Sequence, residues 1–389
     1  MTSTLAVVFA LWTGTAGADA RPSNDVGADL NKARDLVKKL ADDRFKIRDA
    51  AEKELVHLGP ASLVALKEGE KHNDLHVQER CRVLQPMIAA MSLQRRVDHF
   101  IANRDGPIPQ DLPLATSFLK ITGDTKEARE LYTEILVNHI ALLDETQRDK
   151  KKGMAAFSLY CQEINNSMRF VTDFTARQKT ITRTQVALYF LMTTELAADK
   201  TGQLASYGYT FMNAPILPET LSKDTPAVQP LKMLFLAWIE KEPQPYMVSR
   251  GLQIAADAKM KETLPLVMKM VQSKTSPVYT RAQTALLLTK IGTKEHIKDI
   301  EPLLEDKTVV GNFGINNVQG QVQMRDVALA VCIKLSGQKM ADYDFDVMKG
   351  NEDQLHMSYI YCAFSGDGKR NAAHKKYIDL KAKATTEKK

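Results

Sequence analysis

Apolar side chains in this chain recur at spacings of three and four. Between Asp25 and Leu40 they fall at Leu30, Ala33, Leu36, Val37 and Leu40, which is one stripe of a helix with 3.6 residues per turn. Phe45, Ile47, Ala51, Leu55 and Leu58 form a second stripe. Asp42 stands at the expected N-cap of that helix, and Gly59-Pro60 marks its stop and the start of a partner helix, Ala61 to Gly69. Asp74 caps a further helix carrying Val77, Arg80, Val83, Leu84 and Met87. Short helices are predicted over 98–101 and 112–121, separated by Pro107 and Pro109. Longer ones are predicted from Gly123 to Leu143, Met154 to Ser167, Thr184 to Ala198 and Pro230 to Ile239. Pro215, Pro218, Pro226 and Pro230 interrupt the stretch before the last of these. Continuous alternation of the strand type is scarce, so the chain is predicted to be all-α.

One helical module recurs in a common register. Counted from Arg48, positions −1, +3, +7 and +10 are Ile47, Ala51, Leu55 and Leu58; from Arg281 they are Thr280, Thr284, Leu288 and Ile291; from Arg325 they are Met324, Ala328, Cys332 and Leu335. A glycine follows each time, at Gly59, Gly292 and, one residue late, Gly337. These offsets share one helix face. A single helix pair cannot cover such a face, whereas stacked neighbours can. Ala at +3 (Ala51, Ala328) allows close helix approach. Arg80 lies 32 residues after Arg48, a helix–turn–helix period, although Glu79 stands where an apolar residue is wanted. Arg281 and Arg325 are 44 apart, and the excess falls between Val309 and Gly320, a Gly- and Asn-rich stretch predicted to be an inserted loop.

The stretch from Asp42 to Ala90, with Phe45, Ile47-Arg48-Asp49-Ala50-Ala51, Leu55, Leu58 and Gly59-Pro60, resembles HEAT repeats, and in particular HEAT-like modules of exported bacterial proteins. A second resemblance covers Pro245 to Gln338. It includes Ser276-Pro277 as cap and first turn, Arg281 through Gly292, and a second helix with Ile297, Ile300, Leu303 and Leu304. Gly123 to Leu143 resembles a TPR-like pair. The resemblance implies an α-solenoid of antiparallel helix pairs with an irregular helical middle. It also implies that Arg48, Arg281 and Arg325 join an irregular ladder of charge-assisted bonds between repeats, with Arg80, a poorer fit, in a terminal repeat. The corresponding organisation is a signal peptide over 1–20, N-terminal HEAT-like repeats over 21–91, and an irregular, TPR-like helical segment over 92–240. C-terminal HEAT-like repeats with the inserted loop 309–320 follow over 241–340, and a helical cap with a basic tail over 341–389.

Composition sharpens this picture in a few places. With 44% hydrophobic and 26% charged residues, most of the chain has enough apolar surface to fold. The net charge is +6, and the segment Lys369 to Lys389 alone carries eight Lys or Arg against two acids, so the body is near balance. The basic end is expected to be a solvated, frayed tail. Beyond Tyr377 no aromatic residue is interleaved with it, so nucleic acid is not an expected partner. Leu5 to Trp12 followed by Ala16-Gly17-Ala18 and Ala18-Asp19-Ala20 reads as an export signal, which places the mature chain in the periplasm or outside the cell. The run is too short to span a bilayer, and no membrane span is expected after its removal. Cys81, Cys161, Cys332 and Cys362 show no CxxC spacing and are expected to be buried thiols, with a Cys332–Cys362 pair as the alternative in an oxidising compartment.

Candidate chemistry is sparse. His72 and His76 could share a helix face, but Asn73-Asp74 between them reads as a turn and cap. Asp342, Asp344 and Asp346 alternate like half an EF-hand loop, with Val347 where Gly is needed and Asp353 where Glu is needed, and so predict an acidic turn. Gly366-Asp367-Gly368-Lys369 lacks the rest of a phosphate loop. No catalytic, cofactor or metal residues are therefore assigned. The expected role is a non-enzymatic scaffold that binds protein or peptide partners along a helical-repeat surface. Two alternatives stand beside it: an enzyme or sensor with its site in the middle segment or the 309–320 loop, and anionic-polymer binding through the basic tail. Oligomeric state is left open.

Overall fold

The computed structural model describes residues 26–104, 106–109, 111–169, 181–196, 203–315, 318–348 and 352–386. The predicted export signal and its cleavage positions lie outside them. The described residues are mostly helical, with a single two-stranded sheet, so the chain is all-α in class. None of the described helices is long and apolar enough to cross a membrane. The chain divides into two compact units, Met1–Ala102 and Asn103–Lys389.

The first unit contains α1 (Val26–Lys39), α2 (Phe45–Leu58), α3 (Leu63–Gly69) and α4 (Leu75–Ala102). Its core joins Ala33, Leu36, Val37 and Leu40 of α1 to Ala51 and Leu55 of α2, Ala65 and Leu66 of α3, and Val77, Cys81, Leu84 and Ile88 of α4. Each fully buried leucine here contributes about 1.5–3 kcal/mol. Gly59 ends α2 with φ 62° and donates its N–H to the Leu55 and Val56 carbonyls, a conformation only glycine adopts cheaply. Three local expectations are corrected. Asp42 is not the N-cap of α2; Arg44 holds that place, and Asp42 Oδ1 instead accepts from Arg44 N at 2.9 Å. The chain after Gly59 makes a 3-10 turn, Gly59–Ser62, before α3 begins. The helix predicted over 98–101 is the end of α4, which runs unbroken through Pro86 and across residue 91. Asp74 does cap α4, accepting from His76 N at 2.8 Å.

The second unit opens with α5 (Ala115–Thr122), α6 (Lys126–Arg148), α7 (Lys150–Arg169), α8 (Arg183–Glu195), α9 (Gln203–Met212), α10 (Ile216–Leu221) and α11 (Gln229–Lys241). Thr125 caps α6, and Thr182 with Gln185 forms a capping box on α8. The core here is aromatic. Tyr189 stacks on Phe211 at 4.5 Å between centroids, and Phe190 packs on Phe235 and Trp238. Arg129 is buried and donates to Asp124 and to the carbonyls of Asn103 and Arg104.

Helix pairs follow. They comprise α12 (Pro245–Asp257) with α13 (Leu264–Gln272), and α14 (Val278–Leu286) with its continuation α15 (Leu288–Ile291) and α16 (Ile297–Ile300). Next come β1 (Val309–Ile315), β2 (Val318–Gln323), α17 (Met324–Ser336) and α18 (Asp367–Thr386). The first helices are neighbours in sequence order: α12 packs on α14, and α14 on α17, with α13 against α14 and α16 against α17. α17 ends at Gly337, φ 77°, and the Gln338 N–H returns to the Ile333 carbonyl. Ser276 is not the cap of α14, because the helix begins at Val278 with Pro277 in the cap position.

Two larger expectations are also overturned. The 309–320 stretch is not a loop but an antiparallel hairpin, with Phe313 opposite Gly320 and Gly311 opposite Val322. Val310, Phe313 and Val322 are buried, while Asn312, Gly314, Gln319 and Gln321 face out. The inward positions Gly311 and Gly320 carry no apolar side chain because there is no room for one. A Cβ at Gly320 would sit 2.8 Å from a Phe313 ring carbon and 2.9 Å from the Phe364 carbonyl oxygen. The missing side chains erase the alternation that would have announced a strand. The basic end is likewise not a frayed tail through its described length: it is α18, with Arg370, Ala373 and Tyr377 buried.

Candidate functional site

Side chains of the recurrent module occupy comparable environments. Ala51 and Leu55, then Thr280, Thr284, Leu288 and Ile291, then Met324, Ala328, Cys332 and Leu335 are all buried. The arginines beside them hold backbone and acids at element junctions. Arg48 donates to the Asp42 and Asp43 carbonyls at 2.8 and 2.9 Å. Arg80 reaches from α4 to Glu52 of α2 at 3.0 Å, although its register differs, since Val83 at +3 is exposed and Leu84 is the buried residue. Arg281 donates from Nε to the Val271 carbonyl at 2.9 Å and lies 3.7 Å from Asp306, whose own carbonyl accepts from Arg325 N. Arg325 donates to Gln323 Oε1 at 2.6 Å and lies 3.6 Å from Asp367. Arg250 on α12 sits 31 residues before Arg281, bonded to Gln253 and Asn213 at 3.0 Å each.

The densest cluster of ionisable groups lies where α18 covers α17. Arg370, His374, Tyr377 and Lys381 fall at i, i+4, i+7 and i+11, so one face of α18 carries a polar stripe. Arg370 Nε donates to Asp326 Oδ1 at 2.8 Å, Nη2 donates to the Gln321 carbonyl at 2.7 Å, and Nη1 donates to Asp367. Asp326 is fully buried and also accepts from Gln323 N at 2.8 Å, so it caps α17 as well as pairing with α18. Burial pushes its carboxyl above the usual range, against the lowering influence of Gln323, Arg370 and Arg325. His374 Nε2 is 4.0 Å from Asp326 Oδ1, and burial, with Arg325 and Arg370 nearby, lowers its pKa to about 4. Further along, Glu301 accepts from Tyr377 at 3.3 Å and Lys381 at 2.5 Å beside an open cavity of about 420 Å³. Asp346 of the acidic turn accepts from Ser365 N at 2.6 Å and from Lys369. Most of these charges are consumed by one another, which suits a brace holding the last helix.

A second site is open. At the junction of α11, α12 and α13 a groove of about 290 Å³ has Ile239, Val248, Leu266 and Met270 as its apolar floor. Its lining also carries Glu240, Glu242 and Lys269 and the hydroxyls of Ser273, Thr275 and Ser276. The rigid Glu242-Pro243-Gln244-Pro245 link sets the wall: Glu242 Oε1 accepts from Gln244 N at 3.1 Å, and α12 starts at Pro245. Ser273 Oγ accepts from Ser276 N and Ser276 Oγ at 3.1 and 2.9 Å, which fixes the turn after α13. Burial raises the Glu242 carboxyl above its ordinary value, and no ion pair within the described residues relieves it. This groove arises from two helix pairs meeting, and no local motif marks it; the nearest sequence signal is the paired prolines.

Among the described residues no group of three or more His, Cys, Asp or Glu is placed to hold a metal ion. His72 instead accepts from Asp74 N at 3.1 Å. The four cysteines are buried free thiols, and burial raises Cys81 to about 11 and Cys161 and Cys332 to about 12. No protein-family model, curated protein or solved structure matches this chain.

Proposed function

We propose that the chain is a HEAT-like α-solenoid that binds protein or peptide partners along its helical-repeat surface, without a catalytic step. The packing of α12 on α14 and of α14 on α17, with the same offsets buried in the last two, supports the solenoid reading. The observation that carries the binding role is the groove at the α11–α12–α13 junction. It joins an apolar floor to a rim of hydroxyls and of charges left unpaired among the described residues, which is the anatomy of a site for a short peptide segment. The polar seam beneath α18 is the strongest competitor for a catalytic role. Its Asp326 and Arg370 are buried and committed to each other, so they offer nothing to a substrate. The basic residues Lys369, Arg370, Lys376 and Lys381 have partners within the unit, which weakens the case for polyanion binding.

A peptide array probed with the full chain tests this reading. Binders are expected, and Met270→Glu, which places a charge on the half-buried floor, is expected to weaken them at least tenfold. An array without binders, or binding indifferent to Met270→Glu and to Glu242→Gln, removes the groove from consideration.

A further inference from the structure

The β1–β2 hairpin meets Arg370 at its β2 edge and leaves its β1 edge bare. Gln321 turns its carbonyl away from β1, where Arg370 donates to it at 2.7 Å. Antiparallel partners point their backbone groups the same way relative to the pair, so Asn312, opposite Gln321, turns its N–H and C=O away from β2. Gly314, two residues on and opposite Gln319, does the same. Both residues are exposed, and no backbone group of another element among the described residues takes these donors and acceptors.

Edges of this kind are normally defended by charge, proline or cover. Here no charged residue occurs between Lys307 and Arg325, a run of 17 residues in a chain that is 26% charged. No proline occurs in it either. Exposed apolar side chains lie on the elements that pack near β1. β1 packs on α14, whose Tyr279 is 54% exposed and meets Tyr359 edge to face at 5.6 Å. Gln283 of α14 holds the carbonyls of His356 and Met357, and the Met357 side chain is 56% exposed.

We propose that β1 pairs with β1 of a second copy of this chain. An isologous antiparallel pairing centred on Phe313 sets Asn312 of each copy opposite Gly314 of the other. Each such pair exchanges two N–H···O=C bonds, and a four-stranded sheet β2–β1–β1–β2 results. The occupant is a second copy because the pairing requires a strand with outward groups two residues apart and no charge to repel or strand. β1 meets that requirement itself. The interface is small, so the dimer is weak and concentration-dependent.

Sedimentation velocity of the full chain between about 1 and 200 µM is the test, in the micromolar range expected of a small interface. A monomer–dimer equilibrium is expected. Across the two-fold the Asn312 positions lie one strand spacing and two residues apart, about 8 Å. Asn312→Lys and Asn312→Asp should therefore each weaken association at least tenfold, and an equimolar mixture of the two should restore it. Gln319→Lys, on β2 and away from the new pairing, should leave the equilibrium unchanged. Far-UV circular dichroism of each variant establishes that it is folded. A monomer at every concentration, a dimer insensitive to Asn312→Lys, or a mixture that fails to associate overturns the proposal.

Discussion

Lowering the pH from 7 to 4.5 should loosen the α17–α18 brace through His374. Its side chain is 14% exposed, its Nε2 has no hydrogen-bond partner, and Arg325 and Arg370 lie close by. The folded chain therefore keeps the imidazole neutral down to about 4, while the unfolded chain takes up the proton near 6.5. Between those values the unfolded state binds more protons. The stability held by the neutral ring is thus complete above about 6.5 and is lost as the pH falls towards about 4. A shift of this size corresponds to roughly 3 kcal/mol when fully expressed. Other groups titrate in the same window with both signs. His139 and His356 act in the same sense, and the raised carboxyls of Glu242 and Asp326 act in the opposite one. The informative quantity is therefore the difference between wild type and His374→Leu, which has similar volume and no titration. Urea unfolding of both proteins at half-unit steps from pH 7.5 to 4 should show the wild type losing stability relative to the variant as the pH drops. Parallel profiles would refute the burial of a neutral His374.

Three further outcomes follow from the geometry. Removing one partner of the buried pair, by Asp326→Leu or Arg370→Met, should cost about 3–5 kcal/mol because the other charge is left buried; the double variant should cost far less than the sum in urea melts, and additive costs would contradict the pairing. Gly311→Ala drives a Cβ against the Tyr359 hydroxyl and to 3.0 Å from its Cζ, so a loss of about 1–3 kcal/mol is expected, partly recovered by Tyr359→Phe in thermal melts. Lys259 ends α12 with φ 58° while exposed, so Lys259→Gly should stabilise by about 0.5–1 kcal/mol in the same assay, and destabilisation would show that its side chain is needed.

The helices legible in the sequence are those whose buried face is aliphatic. α1, α2 and α6 announce themselves because Leu, Ala, Val and Ile recur at helical spacing. α18 does not. Its inward stripe is Arg370, Ala373 and Tyr377 with a half-buried His374, so the segment reads as a basic tail although Arg370 and Lys381 reach inward to Asp326 and Glu301. A search for charges at i, i+4, i+7 and i+11 would have found it. The hairpin was hidden by the opposite device, inward glycines at positions 311 and 320, where packing excludes any side chain. The long spacing between Arg281 and Arg325 marked residues 309–320 as a break in the helical pattern but not as a pair of strands. The groove at Glu242 was illegible for a third reason: its lining comes from α11, α12, α13 and the turn after α13, whose approach is tertiary.

The central claim is that neighbouring helix pairs share one continuous core and do not each fold alone. Hydrogen exchange, read by mass spectrometry, on wild type and Ala328→Leu tests it most directly. Ala328 is fully buried on α17, so a larger side chain must displace whatever adjoins it, at about 1–3 kcal/mol. A shared core predicts that protection falls in α14 as well as in α17. Loss of protection confined to residues 324–336, with α14 exchanging as in the wild type, would contradict it.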